Sequence, residues 1–416
     1  MTAASPSAPA AIPLSLERAI DLALAQNLSY RAAAVGVAAA RAQVRQAAAP
    51  FLPGVQLRDA YQYVDPIADL STPFGSIPFS TTRATNVPLV ALQYQLYDGG
   101  LSAARYAQAA AGLAAAEASA REARAATIDA TTKAYFDLVA AEQFDAVARG
   151  AVEVAKGHAT QADQLFAAGQ IPKADVLRAQ TEVANQQVNA IAAAGGVALA
   201  ENVLANTLNV PLDTVYAPTD RLDGDAPDFK LDALLESARN SRGELLAARA
   251  SVTAAEHAVA QARSGSLPQV SLVVANGNKQ PAVVSGYHNQ FSVGVNAALT
   301  LFDHGYSAGQ VAAARAGVDQ ARLGVQQLES GIALQVRQSY LRVNEAKARV
   351  EAATRFVALA QENLRLAQLR YRGSVGTALE LQDAELRATS AQQALVGAKV
   401  ALREGVAELR FAAGLR

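Results

Sequence analysis

Apolar and polar positions alternate with period two at four places in the chain. In FSVGVNAALTLFD, Phe291, Val293, Val295, Ala297, Leu299 and Leu301 share one face, and Ser292, Gly294, Asn296, Ala298 and Thr300 the other. VQLRDAYQY sets Val55, Leu57, Tyr61 and Tyr63 against Gln56, Arg58 and Gln62, with Asp59 interrupting the apolar face. LVALQYQLY groups Val90, Leu92, Tyr94 and Leu96 against Gln93 and Gln95, and SLPQVSLVVAN carries the weakest version. Such alternation predicts strands with one apolar and one polar face. Half-buried strands of a soluble sandwich give the same pattern. Strands of about ten residues, however, are long for soluble sheets and suit an outer-membrane barrel.

Between the strands the period changes to that of helices. Ser15 is placed to cap LERAIDLALAQN, and Arg31 to Ala49 continues with helix formers until Pro50 and Pro53. Gly100 to about Phe166 holds no proline and much Ala, Glu, Arg and Gln, which predicts a helix roughly 100 Å long at 1.5 Å per residue. AAGQIP breaks it at Gly169 and Pro172, and helix resumes from Lys173 to about Asn209. The later half repeats the order: Ala308 to about Arg372, a break at RGSVGT, then Ala378 to Ala413. Helices this long need packing along their length. Leu359, Leu366 and Leu369, with Leu364 beside them, mark an apolar seam near heptad spacing.

The order of elements follows from a duplication. Leu16 aligns with Leu231 and Pro53 with Pro268, an offset of 215; Asp98 aligns with Asp303 and Asp175 with Glu380, an offset of 205. One length change between Pro53 and Asp98 accounts for both, and length changes collect in exposed loops. The expected organisation is a disordered segment at 1–13, a first repeat at 14–208, a linker at 209–230, a second repeat at 231–413 and a C-terminal end at 414–416. Each repeat reads helix, β-hairpin, long helix, tip, helix. Both strand-to-helix junctions carry Leu, an aromatic, Asp, any residue and Gly: YQLYDGG and LTLFDHG. Gly tolerates unusual backbone angles there, and Asp98 and Asp303 are placed to cap the new helices.

Composition narrows the function. The net charge is -1 with both signs interspersed, so no nucleic-acid partner is expected. With no cysteine, disulfides and thiolate metal sites are excluded, and the sequence as given holds no N-terminal Cys to carry a lipid. His158, His257, His288 and His304 lie far apart in different elements; no catalytic set, metal site or cofactor is expected. MTAASPSAPAAIP has neither a basic n-region nor an apolar h-region, so it is not a signal peptide as it stands. The longest apolar run, Ala190 to Ala200, contains two glycines, and no membrane-crossing helix is expected. Four strands cannot close a membrane barrel, whose smallest members have about eight, and an open edge in lipid leaves backbone groups unpaired. Strands that cross a membrane here therefore require several chains in one barrel.

The chain resembles the TolC-like outer membrane efflux proteins from about Leu14 to Ala413. The features that carry the resemblance are the tandem duplication, the two junction motifs, and AAGQIPKADVLRAQ with YRGSVGTALELQDAE between long and short helices. The resemblance implies a mainly α fold with a small β part. In it, tandem long-helix hairpins form an α-helical barrel across the periplasm, and the four strands of each chain join a shared trimeric 12-stranded barrel in the Gram-negative outer membrane. It implies an exit channel of a tripartite efflux or type I secretion system, not an enzyme. Its expected partners are a periplasmic adaptor, an inner-membrane transporter, outer-membrane lipid, and exported small molecules or polypeptide. Strand-to-helix junctions would be Asp98, Gly99, Gly100, Asp303 and Gly305. Adaptor-docking tips would be Gly169, Gln170, Ile171, Gly373, Ser374 and Val375. A periplasmic gate would use Tyr371, Glu380 and Asp383, the two acids sharing one helical face at i, i+3. In a trimer they would form two carboxylate rings, which select cations and titrate at raised pH. Gly376 stands where the family has a basic partner for the Tyr, and the first repeat carries Asp175 but Arg178. A soluble coiled-coil scaffold explains the helices but leaves the duplicated hairpins without a purpose. A periplasmic adaptor would not show two similar halves.

Overall fold

The computed structural model describes residues 11–63, 70–77, 84–224, 227–279, 288–373 and 375–415. The chain opens with β1 (Ile12–Leu14), α1 (Leu16–Gln26) and α2 (Leu28–Ala48). It continues with β2 (Gly54–Tyr63), a small hairpin β3 (Leu70–Thr72) and β4 (Gly75–Ile77), β5 (Ala84–Tyr97), α3 (Leu101–Ala167) and α4 (Lys173–Leu208). After β6 (Tyr216–Pro218) come α5 (Leu231–Ser241), α6 (Gly243–Ser264), β7 (Gln269–Lys279), β8 (His288–Ala298), α7 (Tyr306–Arg372) and α8 (Ala378–Ala412). α3 and α7 are 67 residues each. Ser15 caps α1 by accepting the Arg18 N–H. Asn27 ends α1 and caps α2, its Oδ1 accepting from the N–H of Ser29 and Tyr30.

Contacts group the chain into two units. The first comprises the chain up to Val35, Ala118–Leu246 and everything from Gln326. Its core gathers Leu14, Tyr135, Leu138, Leu204, Leu208 and Leu222. The Tyr135 hydroxyl is 2.9 Å from the Leu14 carbonyl and 2.8 Å from Asp220 Oδ2, and it accepts the N–H of Thr219 and Asp220. That phenol ties the N-terminus and the inter-repeat segment to α3. Residues 12 and 13 are accordingly not disordered: β1 pairs in parallel with β6, Ile12 opposite Tyr216. The segment 209–230, read as a linker, likewise contains a strand. Residues 1–10, Arg416 and the expected loop residues 64–69, 78–83 and 280–287 lie outside the described residues.

The second unit is Gly36–Glu117 with Ala247–Val325. It holds a four-stranded antiparallel sheet in the order β2-β5-β7-β8. Register aligns the faces: Val55 stands opposite Leu92, Leu57 opposite Val90, Leu92 opposite Val274, Tyr94 opposite Leu272, Val274 opposite Val293 and Leu272 opposite Val295. On the other face Gln95 opposes Ser271, Ser271 opposes Asn296 and Ala275 opposes Ser292. The apolar face is solvent-facing in the single chain, with Leu57 77 % and Phe291 68 % exposed. Among the described residues β2 and β8 each pair on one side only.

Two expectations shift. The strand read as FSVGVNAALTLFD ends at Ala298, where its partner Gln269 is preceded by Pro268. Proline has no N–H to extend the ladder, so Leu299 and Leu301 leave the sheet. In the first half β5 runs on to Tyr97, reaching Val270 across a bulge. The helical seam also differs. Ala360, Ala367 and Tyr371 are buried and Leu364 packs beside them, while Leu359, Leu366 and Leu369 are exposed. Alanine lets the backbones approach, so it fills the intrachain seam and the leucines point elsewhere. α4 is long and apolar enough by composition for a membrane span, and its apolar stretch is mostly exposed in the single chain. The apolarity draws on Ala and Val in a helix interrupted by Glu, Asn and Gln.

Candidate functional site

The two strand-to-helix junctions have the same geometry. Asp98 Oδ1 accepts the Gly100 N–H at 3.0 Å and Oδ2 the Ser102 N–H at 2.7 Å. Asp303 does the same with Gly305 at 3.0 Å and Ser307 at 2.8 Å. Each carboxylate thus supplies two acceptors to the open first turn of a long helix. Burial works against the Asp98 carboxylate, but hydrogen bonds from Ser102, Gly100 and Leu101 outweigh it and hold its pKa below the ordinary value. For Asp303 the Ser307 hydroxyl and N–H, then Gly305, lower it. Gly99 and Gly100 have φ of 66° and 85°; their counterparts His304 and Gly305 have 55° and 85°. A Cβ on Gly99 would lie 2.7 Å from the Leu267 Cβ. His304 pays its left-handed strain in the open, its ring edge-on to Phe302.

The tips are helix reversals built differently. In the first, Gly169 has φ 72°, donates to the Phe166 carbonyl, and is followed by Gln170 donating to Leu165. This is the paired-bond helix stop that a left-handed glycine permits. Ile171 and Pro172 then lead into α4. In the second, Gly373 donates to Leu369, and Val375 and Gly376 both donate to the Arg370 carbonyl. Thr377 caps α8 by accepting the Glu380 N–H at 3.1 Å. A Cβ on Gly376 would lie 3.0 Å from the Arg370 Cβ and 3.1 Å from the Tyr371 N, a close fit at the turn. Ser374 lies outside the described residues.

Tyr371, Glu380 and Asp383 occupy different environments. Tyr371 is buried among Ala367, Leu381 and Ala384; burial first, and the charge of Asp175 second, raise its pKa. Glu380 pairs with Arg370 at 3.1 Å and Asp383 with Arg387 at 2.8 Å. Arg370, which pairs with Glu380, stands one residue before Tyr371 at the end of α7. Asp175 pairs with Arg178 at 3.1 Å in the first tip. A cavity of about 40 Å³ opens beside Tyr371 and is lined by Asp175, Glu182, His158, Gln382 and Glu385.

Sequence reading missed this last group. His158 on α3 contacts Glu385 on α8, and Gln382 on α8 donates to Glu182 on α4 at 2.9 Å. No spacing rule joins residues so far apart in the chain. Among the described residues no group of His, Cys, Asp and Glu is arranged to hold a metal ion.

The sequence profile of the family described as outer membrane efflux protein matches residues 19–210 and 234–415. Protein CyaE of Bordetella pertussis is 29% identical over 315 residues, 74% of this chain; the match spans 64% of that relative. A membrane protein from Pseudomonas aeruginosa superimposes with TM-score 0.82 at 23% identity, covering 100% of this chain and 97% of that one. The outer membrane protein VceC of Vibrio cholerae gives TM-score 0.82 at 21% identity, with 96% of each chain covered.

Proposed function

Because this chain belongs to the outer membrane efflux protein family, we propose that it is the outer-membrane exit channel of a tripartite efflux or type I secretion system. The observation that carries this reading is the sheet. Its cross-strand register gathers most of the Val, Leu and Tyr side chains on one face, interrupted by Asn276, and most of the Gln and Ser on the other, which also carries Val273 and Leu89; the bias suits lipid outside and water inside. The single-sided pairing of β2 and β8 asks for neighbours, since lipid tolerates no open edge. Three copies, β8 of one beside β2 of the next, make the closed barrel. The exposed Leu359 and Leu366, one heptad apart, suit the flank of a neighbouring chain.

In this reading the two repeats are one helical hairpin unit used twice. The tips at Gly169, Gln170, Ile171, Gly373, Ser374 and Val375 face a periplasmic adaptor, and an inner-membrane transporter supplies the energy. The chain conducts a small molecule or polypeptide and performs no chemistry on it. Glu380 and Asp383 form the narrow end, with Tyr371 as the buried support beneath them. The deciding experiment is the mass of the purified protein in detergent. A detergent-dependent trimer is the expected result; a monomer fully soluble in plain buffer would remove the channel reading.

A further inference from the structure

The duplication carries over from the sequence into the sheet. The offsets of 215 and 205 that align the repeats map β2 onto β7 and β5 onto β8. They also map one hairpin's ladder onto the other's. Gly54 opposite Gln93 becomes Gln269 opposite Ala298, Val55 opposite Leu92 becomes Val270 opposite Ala297, and Leu57 opposite Val90 becomes Leu272 opposite Val295. All six pairs are present in the sheet. The two hairpins are therefore one unit used twice in one register.

Between the hairpins β5 pairs with β7. The same offsets turn that seam into a pairing of β8 with a β2. Within one chain those two strands are the outer edges of the sheet among the described residues. Three interstrand spacings separate them, roughly 14 Å, so the β2 in question belongs to another copy. We propose that β8 of one chain adds to β2 of a second copy in the register of β5 on β7. Val295 then stands opposite Tyr61 of the next copy, Asn296 opposite Ala60, Ala297 opposite Asp59 and Leu299 opposite Leu57. The proposal rests on the shared-barrel reading and specifies its seam residue by residue.

The residues on the two edges fit this register. A slip of one position would turn every side chain of an added strand to the wrong face. Here Leu299 and Val295 meet Leu57 and Tyr61 on the apolar side, and Thr300 meets Gln56 on the polar side. Asp59, the acid on the apolar face, meets the small Ala297, where the matching intrachain pair is Leu92 and Val274. The tail of β8 also gains a partner. Tyr94, Gln95 and Tyr97 pair only with β7, because the ladder with β2 stops at Gly54 opposite Gln93. Their counterparts Leu299, Thr300 and Phe302 lie outside the ladder in the single chain, and Leu299 and Phe302 are exposed. In the transferred register these three run along Leu57, Gln56 and Val55 of the next copy, with Leu301 at the bulge that Leu96 occupies in β5. The match stops at the turn. Gly99 abuts Leu267, whereas its counterpart His304 brings a Cβ towards Leu52 of the next copy, so the seam between copies is wider there than the seam within the chain.

The chain has no cysteine, so engineered pairs read the register directly in the full-length, detergent-solubilised protein. Asn296→Cys combined with Ala60→Cys sets two thiols opposite each other across the seam. Within one chain β2 and β8 are too far apart for a disulfide, whose Cα atoms lie about 4.4–6.8 Å apart, so every bond formed joins two copies. Oxidation should give covalent dimer and trimer on a non-reducing gel. Asn296→Cys combined with Arg58→Cys, or with Gln62→Cys, sets the thiols on a diagonal of about 7–8 Å and should cross-link at least about tenfold more slowly. Thr300→Cys combined with Gln56→Cys puts the same question to the tail of β8, and decides the matter where the first pair fails to assemble. The mass of each variant is measured first under reduction. Trimers that cross-link fastest at a diagonal pair, or at no pair, overturn this register and leave the channel reading standing. A native chain that is monomeric in detergent overturns both.

Discussion

At the scale of single residues, the duplicated junction separates what the turn needs from what its neighbours allow. Both turns place two consecutive residues at positive φ. In the second, His304 holds the first of these positions because its side chain has open space beside Phe302. In the first, Gly99 has no such freedom, with Leu267 at 2.7 Å from any added Cβ. Gly99→Ala should therefore cost about 1–3 kcal/mol through strain and collision together. His304→Ala should change stability by less than about 0.5 kcal/mol, since its strain is already present. Thermal unfolding of the two variants in detergent reads the difference, and equal losses would show that the contact with Leu267 does not matter.

At the scale of elements, the strands and the helix ends were legible in the sequence because each rests on a local rule. Alternation marked the apolar faces, and Pro50, Gly169 and Pro172 stopped helices where the chain does stop. Pairing between elements was not legible. Pro268 ends β8 from across the ladder, a signal carried by the partner strand and not by LTLFD itself. The leucine seam misled because small residues, not large ones, fill the close intrachain contact. His158 and Glu385 meet only through packing of α3 on α8, and Arg370 reaches Glu380 only because the tip folds back. The sheet yields its own prediction. Val293, opposite Val274 on the apolar face, should lose about 2–4 kcal/mol on Val293→Arg, whereas its neighbour Ser292→Arg, facing the polar side, should be tolerated. Urea unfolding in lipid vesicles distinguishes them; equal tolerance would reverse the assignment of the faces.

At the scale of the whole molecule, the acids at the tip of the second repeat are the place where current should be controlled. Each of Glu380 and Asp383 has an arginine of its own chain beside it, so the proposed narrowing would be a set of ion pairs as much as a ring of acids. Glu380→Ala combined with Asp383→Ala removes both acids and frees Arg370 and Arg387. Single-channel current in a planar bilayer should rise or its cation selectivity fall, as like-charged acidic rings favour cations. Currents unchanged in size and selectivity would return both acids to the role of surface residues.

The sheet order β2-β5-β7-β8 leaves each chain with two different edges, and a ring built from such edges closes only when every member offers both. That has a genetic consequence. A substitution that blocks β2 or β8 would act in trans: with normal and altered copies made in equal amounts, roughly one ring of three in eight would be free of the defect. An allele of this kind would be dominant, suppressing export in cells that still carry an intact gene. A lesion that prevents the chain from folding at all would be recessive.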